Sequence, residues 1–67
     1  MAFGSRLREL RLRAGMSQMA LAGAAGLDRA VIGFIERGER DFGISHLWPL
    51  ADALGLTVQE LFPDDEG

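Results

Sequence analysis

The side chains best suited to chemistry in this 67-residue chain are its seven arginines. All seven lie in residues 1–40, where four acids leave a formal charge of +3, whereas residues 41–67 carry six acids and no base, a charge of −6. Guanidinium groups bind phosphate and guanine through paired hydrogen bonds. The overall charge of −3 therefore conceals a basic half that can meet nucleic-acid phosphate and an acidic half that can face away from it.

The chain lacks the residue sets that catalysis and metal binding need. It has no cysteine, which excludes disulfides, thiolate nucleophiles and zinc fingers. It shows no nucleophile–base pair, no carboxylate cluster and no phosphate-cradling glycine loop, and its single histidine, His46, has no ligand-type cluster nearby. We therefore predict a protein that is not an enzyme, with no metal, no cofactor and no evident small-molecule ligand.

Neither a membrane span nor an export signal is evident. The longest uncharged stretch, residues 14–27, contains three glycines, and it is shorter than the ~20 apolar residues that a span needs. The N-terminus has no charged region followed by an apolar core, as a signal peptide would. We predict a cytoplasmic protein that does not act at a membrane.

Composition and periodicity predict an all-α fold consisting of one domain over residues 1–67. Leucine and alanine supply 19 residues, whereas valine, isoleucine and threonine supply only six, which favours helix over strand. Apolar residues recur at helical spacing in five segments that are bounded by capping residues and glycines. The predicted helices span residues 5–14, 17–25, 28–37, 45–54 and 58–62, and residues 63–67 form an acidic tail.

Local signals refine these helices. The first is expected to bury an apolar face that ends at Ala14, and the third to bury Ile35 with either Val31 or Ile32. Residues 57–60 have the sequence of a capping box. The predicted N-terminal caps of the first three helices are Ser5, Ser17 and Asp28, and the fourth helix is expected to begin at Ser45.

The connection between the second and third helices has the pattern of a helix-turn-helix. Ala22 is small enough for the next helix to cross it closely, and Gly26 can adopt the positive φ of a short turn. The third helix would then leave four residues pointing outward near its start, where side chains reach base edges when such a helix enters a major groove. These outward residues are Arg29, Ala30, Gly33 and Phe34.

Six short motifs in order, at the spacing of one family, extend this pattern. They cover about residues 4–62 without a gap, and the chain resembles the phage-repressor/Cro-type helix-turn-helix (Xre) family. Residues 27–29 and 35–37 are similar to the controller proteins of restriction–modification systems, which are standalone dimeric regulators. The motifs are Leu7-Arg8-Glu9-Leu10-Arg11, Gly15-Met16-Ser17-Gln18, Leu21-Ala22, Gly26-Leu27, Ile35-Glu36-Arg37-Gly38 and Leu50-Ala51 with Ala53-Leu54-Gly55.

The resemblance implies a compact lambda-repressor-like fold, a bacterial or phage origin and double-stranded DNA as the partner. Arg29 would read a base, and guanine is the base that matches its paired donors. Ala30 departs from the family's polar residues but can still touch a thymine methyl group. Ser17 and Gln18 begin the second helix, where Gln18 would contact a phosphate and support the recognition helix. Arg37 and Arg40 would hold the flanking DNA backbone.

The resemblance also implies a structural ion pair and some departures from the family. Arg11 and Glu36 would join the first and third helices through a partly buried pair. Relatives often carry polar residues at positions 30, 33 and 34, whereas this chain has Ala30, Gly33 and Phe34. Phe34 could contact a thymine methyl group or a sugar, or pack against the following loop. Direct readout is therefore expected to be limited, and DNA shape to add specificity.

The C-terminal part offers more apolar surface than a five-helix monomer needs. We predict a two-fold homodimer, which would place two recognition helices one DNA turn apart and favour a palindromic operator. Trp48 is either a cap on the core or part of this association surface. The predicted interface residues are Trp48, Val58, Leu61 and Phe62.

A second hypothesis comes from a different functional class. The limited set of base-reading residues, the acids Glu39 and Asp41 and the pI of 4.9 also fit an antitoxin-like protein-interaction module. Such a module would keep the fold but bind DNA weakly or without specificity. The salt dependence and sequence preference of DNA binding distinguish the two hypotheses.

Overall fold

The computed structural model describes residues 3–39 and 44–61. Within them all regular secondary structure is helical, which confirms the predicted all-α class. Arg40, Phe62 and the tail 63–67, for which the sequence made predictions, lie outside the described residues. The helices are α1 (Phe3–Arg13), α2 (Gln18–Ala25), α3 (Arg29–Glu36), α4 (Ile44–Leu54) and α5 (Val58–Leu61).

One of the three predicted N-caps is wrong, and the fourth helix begins one residue earlier than predicted. Ser5 lies inside α1, which begins two residues earlier at Phe3, and Ser45 lies inside α4, which begins at Ile44. Ser17 is correct, because its Oγ accepts a hydrogen bond of 2.9 Å from the backbone N–H of Ala20. Asp28 has the correct position but its side chain makes no capping hydrogen bond.

The predicted capping box at α5 is present. The backbone N–H of Thr57 donates to Glu60 Oε1 at 2.8 Å, and the backbone N–H of Glu60 donates to Thr57 Oγ1 at 3.2 Å. This reciprocal pair satisfies amide groups at the start of a helix that is only four residues long. Such a short helix depends on its cap and on packing, because propagation within one turn stabilises little.

One apolar core joins all five described helices. Helix α3 packs against α1 and α2, α4 packs against α2 and α5, and α5 also contacts α1. Ile32, rather than Val31, accompanies Ile35 in this core. Ala14 is exposed, against prediction, because α1 has already ended at Arg13. The buried apolar residues are Leu7, Leu10, Leu21, Ala22, Ile32, Ile35, Leu50, Ala51 and Leu61.

Gly4 allows α1 to lie directly on the end of α3. A Cβ atom built on Gly4 would lie 2.7 Å from the carbonyl oxygen of Glu36, and nearer still to that of Ile35. Real Cβ atoms essentially never approach backbone so closely. This contact packs the turn of α1 that precedes Ser5, where the predicted helix began, against α3.

Within residues 3–39 and 44–61, no single helix has the length and apolar character to cross a membrane. Taken together, the bent pair of α2 and α3 has enough length and apolar composition to do so, judged on those two properties only.

Candidate nucleic-acid interface

Helices α2 and α3 form a helix-turn-helix. Gly26 ends α2 in the left-handed conformation (φ 72°, ψ 31°), where a residue with a Cβ atom is strained. The following N–H, that of Leu27, donates to the carbonyl of Ala22 at 2.8 Å, which closes the C-terminal end of α2. The two helices meet at a bend of 116°, within the range that is typical of the motif.

Helix α3 buries one face and exposes the start of the other. Ile32 and Ile35 are almost inaccessible, at 0% and 2% relative exposure. Arg29 and Ala30 are exposed, as predicted, and Phe34 is half-buried. Gly33 is buried rather than exposed, although it lies on the predicted outward face. Its position on the outward face is covered by another side chain.

The side chain that covers Gly33 is that of Arg37. A Cβ atom at Gly33 would lie only 3.1 Å from Arg37 Nη1, and the Arg37 guanidinium carbon lies 5.3 Å from the centroid of the Phe34 ring. Glu39 holds the same guanidinium, since Nε donates to Oε2 at 3.0 Å and Nη2 to Oε1 at 3.3 Å. Arg37 thus lies along the outer face of α3 instead of projecting beyond its end.

A partly buried polar network fixes α3 against α1 and α2. Arg11 donates from Nε to Glu36 Oε2 at 2.7 Å and from Nη2 to Oε1 at 3.2 Å, so the expected ion pair is present. Arg11 Nη1 also donates to the carbonyl of Met16 at 2.8 Å, and Gln18 Nε2 donates to Glu36 Oε1 at 3.1 Å. The hydrogen bond with Glu36 raises the pKa of Arg11, although burial opposes the increase. The Glu36 carboxylate at the end of α3 therefore binds both Arg11 of α1 and Gln18 of α2.

Gln18 is positioned by this network as well as by its helix. It follows the N-cap Ser17 and lies in the first turn of α2. Its amide nitrogen binds Glu36, so the support that it was expected to give the recognition helix has a direct contact. That hydrogen bond uses one of the two N–H groups of Nε2.

Only some of the residues predicted to form the dimer interface are exposed. Trp48 is 66% exposed, while Leu61 is fully buried in the core and cannot contribute to an interface. Leu61 faces inward because α5 packs against both α1 and α4. A groove of ≈ 670 Å³ lies between α4 and α5, with Trp48, Asp52 and Val58 among its lining residues. Among the described residues, Trp48 and Val58 remain candidates for the interface, and Phe62 lies outside the described residues.

No cluster of metal-ligating side chains occurs in the part of the chain that the structure describes.

Comparison with known proteins agrees with this geometry. The family model for helix-turn-helix proteins matches residues 7–61. The chain belongs to the helix-turn-helix family. The matched range includes α2, α3 and the turn between them, together with the core residues of α4 and α5.

Relatives within the family include controller proteins of restriction–modification systems. The chain is 37% identical over 65 residues to control protein C.MunI from Mycoplasma sp, covering 96% of this chain and 88% of the relative. The crystal structure of the restriction-modification controller protein C.AhdI from Aeromonas hydrophila has a TM-score of 0.87 and 48% identity, covering 90% of this chain and 91% of that one.

A phage repressor bound to DNA has a similar structure. The P22 c2 repressor, crystallised in complex with a synthetic operator, superimposes with a TM-score of 0.85 at 28% identity. The match covers 97% of this chain and 98% of the repressor chain. The lambda-repressor-like fold that the resemblance implied is therefore confirmed.

Sequence reasoning missed the arrangement of Arg37, Glu39 and Gly33. The four-residue spacing of Gly33 and Arg37 was a usable signal, because helical side chains lean toward the N-terminus and cover the preceding turn. An arginine placed one turn after a glycine can therefore occupy the space that the glycine leaves. The position of Glu39 beyond the helix end, by contrast, depends on the turn at Gly38 and has no such periodic signal.

Proposed function

We propose that this chain is a sequence-specific transcriptional regulator that binds a palindromic operator as a dimer, with α3 in the major groove. The observation that carries the proposal is the exposed start of α3. Arg29 and Ala30 face outward immediately after a 116° turn, on a helix whose other face is anchored by Ile32 and Ile35. This is the placement from which a recognition helix reaches base edges.

The proposal assigns a chemical role to each outward residue. Arg29 contacts guanine, because its two parallel N–H donors match O6 and N7, and Ala30 contacts a thymine methyl group. Ser17 and Gln18 lie at the start of α2, where backbone amides and the Gln18 side chain can meet a phosphate. The family resemblance implies contacts of Arg37 and Arg40 with the flanking DNA backbone, and Arg40 keeps that role in the proposal.

The dimer would use the groove between α4 and α5. Trp48 is two-thirds exposed at this groove, and Val58 is half-buried beside it. A second copy of the chain covers such an apolar surface symmetrically. Two recognition helices would then lie about 34–36 Å apart, which corresponds to half-site centres about ten base pairs apart.

The relatives support regulation rather than catalysis. C.MunI is a control protein, C.AhdI is a restriction-modification controller, and the P22 c2 repressor was crystallised on an operator. We infer a cytoplasmic regulator without enzymatic activity or cofactor. It would act by occupying its operator and thereby blocking or recruiting polymerase.

The test is selection of bound duplexes from a random-sequence pool at moderate salt. We expect a palindrome with half-site centres about ten base pairs apart. Arg29→Ala should lose preference at one base in each half-site. Arg13→Ala removes the same charge from the exposed end of α1 and should leave the selected sequence unchanged. An unchanged sequence preference in Arg29→Ala would contradict the proposed docking.

The same selection distinguishes the second candidate, a protein-interaction module. Its support is the outward face of α3, where Ala30 has no hydrogen-bonding group and Gly33 is buried. Under that hypothesis the wild-type protein enriches no sequence. A partner would then be identified through the groove at Trp48.

A further inference from the structure

Three residues of α3 and its C-cap lie four positions apart on one helical face: Arg29, Gly33 and Arg37. Arg29 is exposed at the N-terminal end of this face. Gly33 carries no side chain, and the guanidinium of Arg37 lies back over it, with Nη1 3.1 Å from the place of a Cβ atom. The face that would enter the groove therefore carries two guanidinium groups, the second supplied from one turn away.

Glu39 contacts one particular edge of the Arg37 guanidinium. Nε and Nη2 form the side edge of the planar group, and both donate to the Glu39 carboxylate, at 3.0 and 3.3 Å. The end edge, formed by Nη1 and the second hydrogen of Nη2, is not the edge that Glu39 uses. A guanine presents O6 and N7 as two acceptors that match one guanidinium edge.

Phe34 restricts the guanidinium from a third direction. Its ring centroid is 5.3 Å from the guanidinium carbon, within the distance of a cation–π contact. A carboxylate bound to one edge and an aromatic ring within cation–π distance together limit the positions that the group can occupy. Such restriction lowers the entropy lost when the group binds a base.

We propose that Arg37 is a second base-reading residue, specific for guanine, and that Glu39 and Phe34 are its positioning residues. Gly33 provides the space in which the guanidinium lies. The inference rests on the proposed function, because it requires α3 in the major groove. It replaces the DNA-backbone contact that the family resemblance implied for Arg37.

The contact between Glu39 and Arg37 has a competing interpretation. Glu39 could act only as an internal counterion that withholds the Arg37 charge from DNA. Removal of the Glu39 carboxylate would then strengthen binding to every sequence and leave the base preference unchanged. If Glu39 positions a base reader, its removal instead weakens preference at one base pair.

The experiment compares selected sequences for the wild type, Arg37→Lys and Glu39→Gln. Lysine keeps the charge but lacks the planar pair of donors. We expect Arg37→Lys to lose one guanine in each half-site, with discrimination there reduced about 5- to 150-fold, and the Arg29-dependent base to remain. Glu39→Gln should weaken preference at that same guanine. Both Arg37 and Glu39 are more than half exposed, so both variants should fold.

Two controls separate the possible failures. Glu9→Gln makes the same charge change in an exposed α1 carboxylate that also pairs with an arginine, and it should not alter the motif. Gly33→Ala should displace the Arg37 guanidinium. It should therefore weaken the preference for the same guanine that Arg37→Lys affects. An Arg37→Lys motif identical to the wild type, or a uniform gain in affinity for Glu39→Gln, overturns the inference while the proposed function stands. A wild type that enriches no sequence overturns the proposed function itself.

Discussion

Arg11 on α1 and Glu36 on α3 form a two-point ion pair, with hydrogen bonds of 2.7 and 3.2 Å, and both side chains are at least nine-tenths buried. Replacement of Arg11 by methionine would leave the Glu36 carboxylate buried with Gln18 as its remaining side-chain donor. Loss of one partner from a buried pair costs about 3–5 kcal/mol. We therefore expect Arg11→Met to lower the free energy of unfolding by an amount in this range, measured by urea denaturation.

A matched control for Arg11 lies on the same helix. Arg13 pairs with Glu9 at 2.9 Å, but the two side chains are 67% and 39% exposed. Because exposed ion pairs contribute about 0–1 kcal/mol, Arg13→Met should change stability little. Equal losses for the two arginine variants would show that the buried pair has no special structural role.

Gly4 and Gly23 should respond oppositely to alanine. A Cβ atom at Gly4 would meet the backbone of Ile35 and Glu36, whereas one at Gly23 would meet nothing within 4 Å. Gly23 lies inside α2, where alanine is favoured over glycine by about 0.5–1 kcal/mol. We expect Gly23→Ala to raise the melting temperature and Gly4→Ala to lower it because α1 must move away from α3. Thermal denaturation followed by circular dichroism measures both, and a stabilising Gly4→Ala would be incompatible with the contact.

Ser17 and Asp28 occupy the same position in two successive helices but differ in their contacts. Ser17 caps α2 through the hydrogen bond to Ala20, while Asp28 makes no side-chain capping bond at α3. Loss of an N-cap costs typically about 1 kcal/mol. Ser17→Ala should therefore be destabilising by about that amount, and Asp28→Ala by clearly less. Urea denaturation of the two variants tests the difference, and the reverse order would disprove it.

Trp48 provides the test of the dimer. If the groove between α4 and α5 joins two copies, Trp48→Glu should place a charge in the interface and weaken association at least about tenfold, because aromatic anchors carry much of the energy of an interface. Leu12→Glu is the matched control, since Leu12 is 54% exposed on α1 and does not line this groove. Sedimentation equilibrium over a range of concentrations measures both variants. A wild type that stays monomeric, or equal effects of the two substitutions, would contradict the proposed interface.

Much of the fold was predictable because the signals are local. Leucine and isoleucine at helical spacing identify the buried face of each helix, and Gly26 identifies the turn after α2 because few other residues adopt its conformation. Ser17 and residues 57–60 likewise act on amide groups within three positions of themselves. The ion pair of Arg11 and Glu36 spans 25 positions, and it was expected only through the family resemblance.

The remaining features required the tertiary structure. Nothing near Leu61 in sequence distinguishes it from a surface residue of a short amphipathic helix, and its burial follows from the contacts of α5 with α1 and α4. The role of Gly4 follows from its contact with the backbone at the end of α3, which lies far away in the sequence. The outward face of α3 was predicted from helical periodicity, but its chemistry depends on Arg37, which folds back over Gly33 and is held by Glu39. Periodicity determines the direction in which a residue points, whereas only packing determines which side chain fills the space beside it.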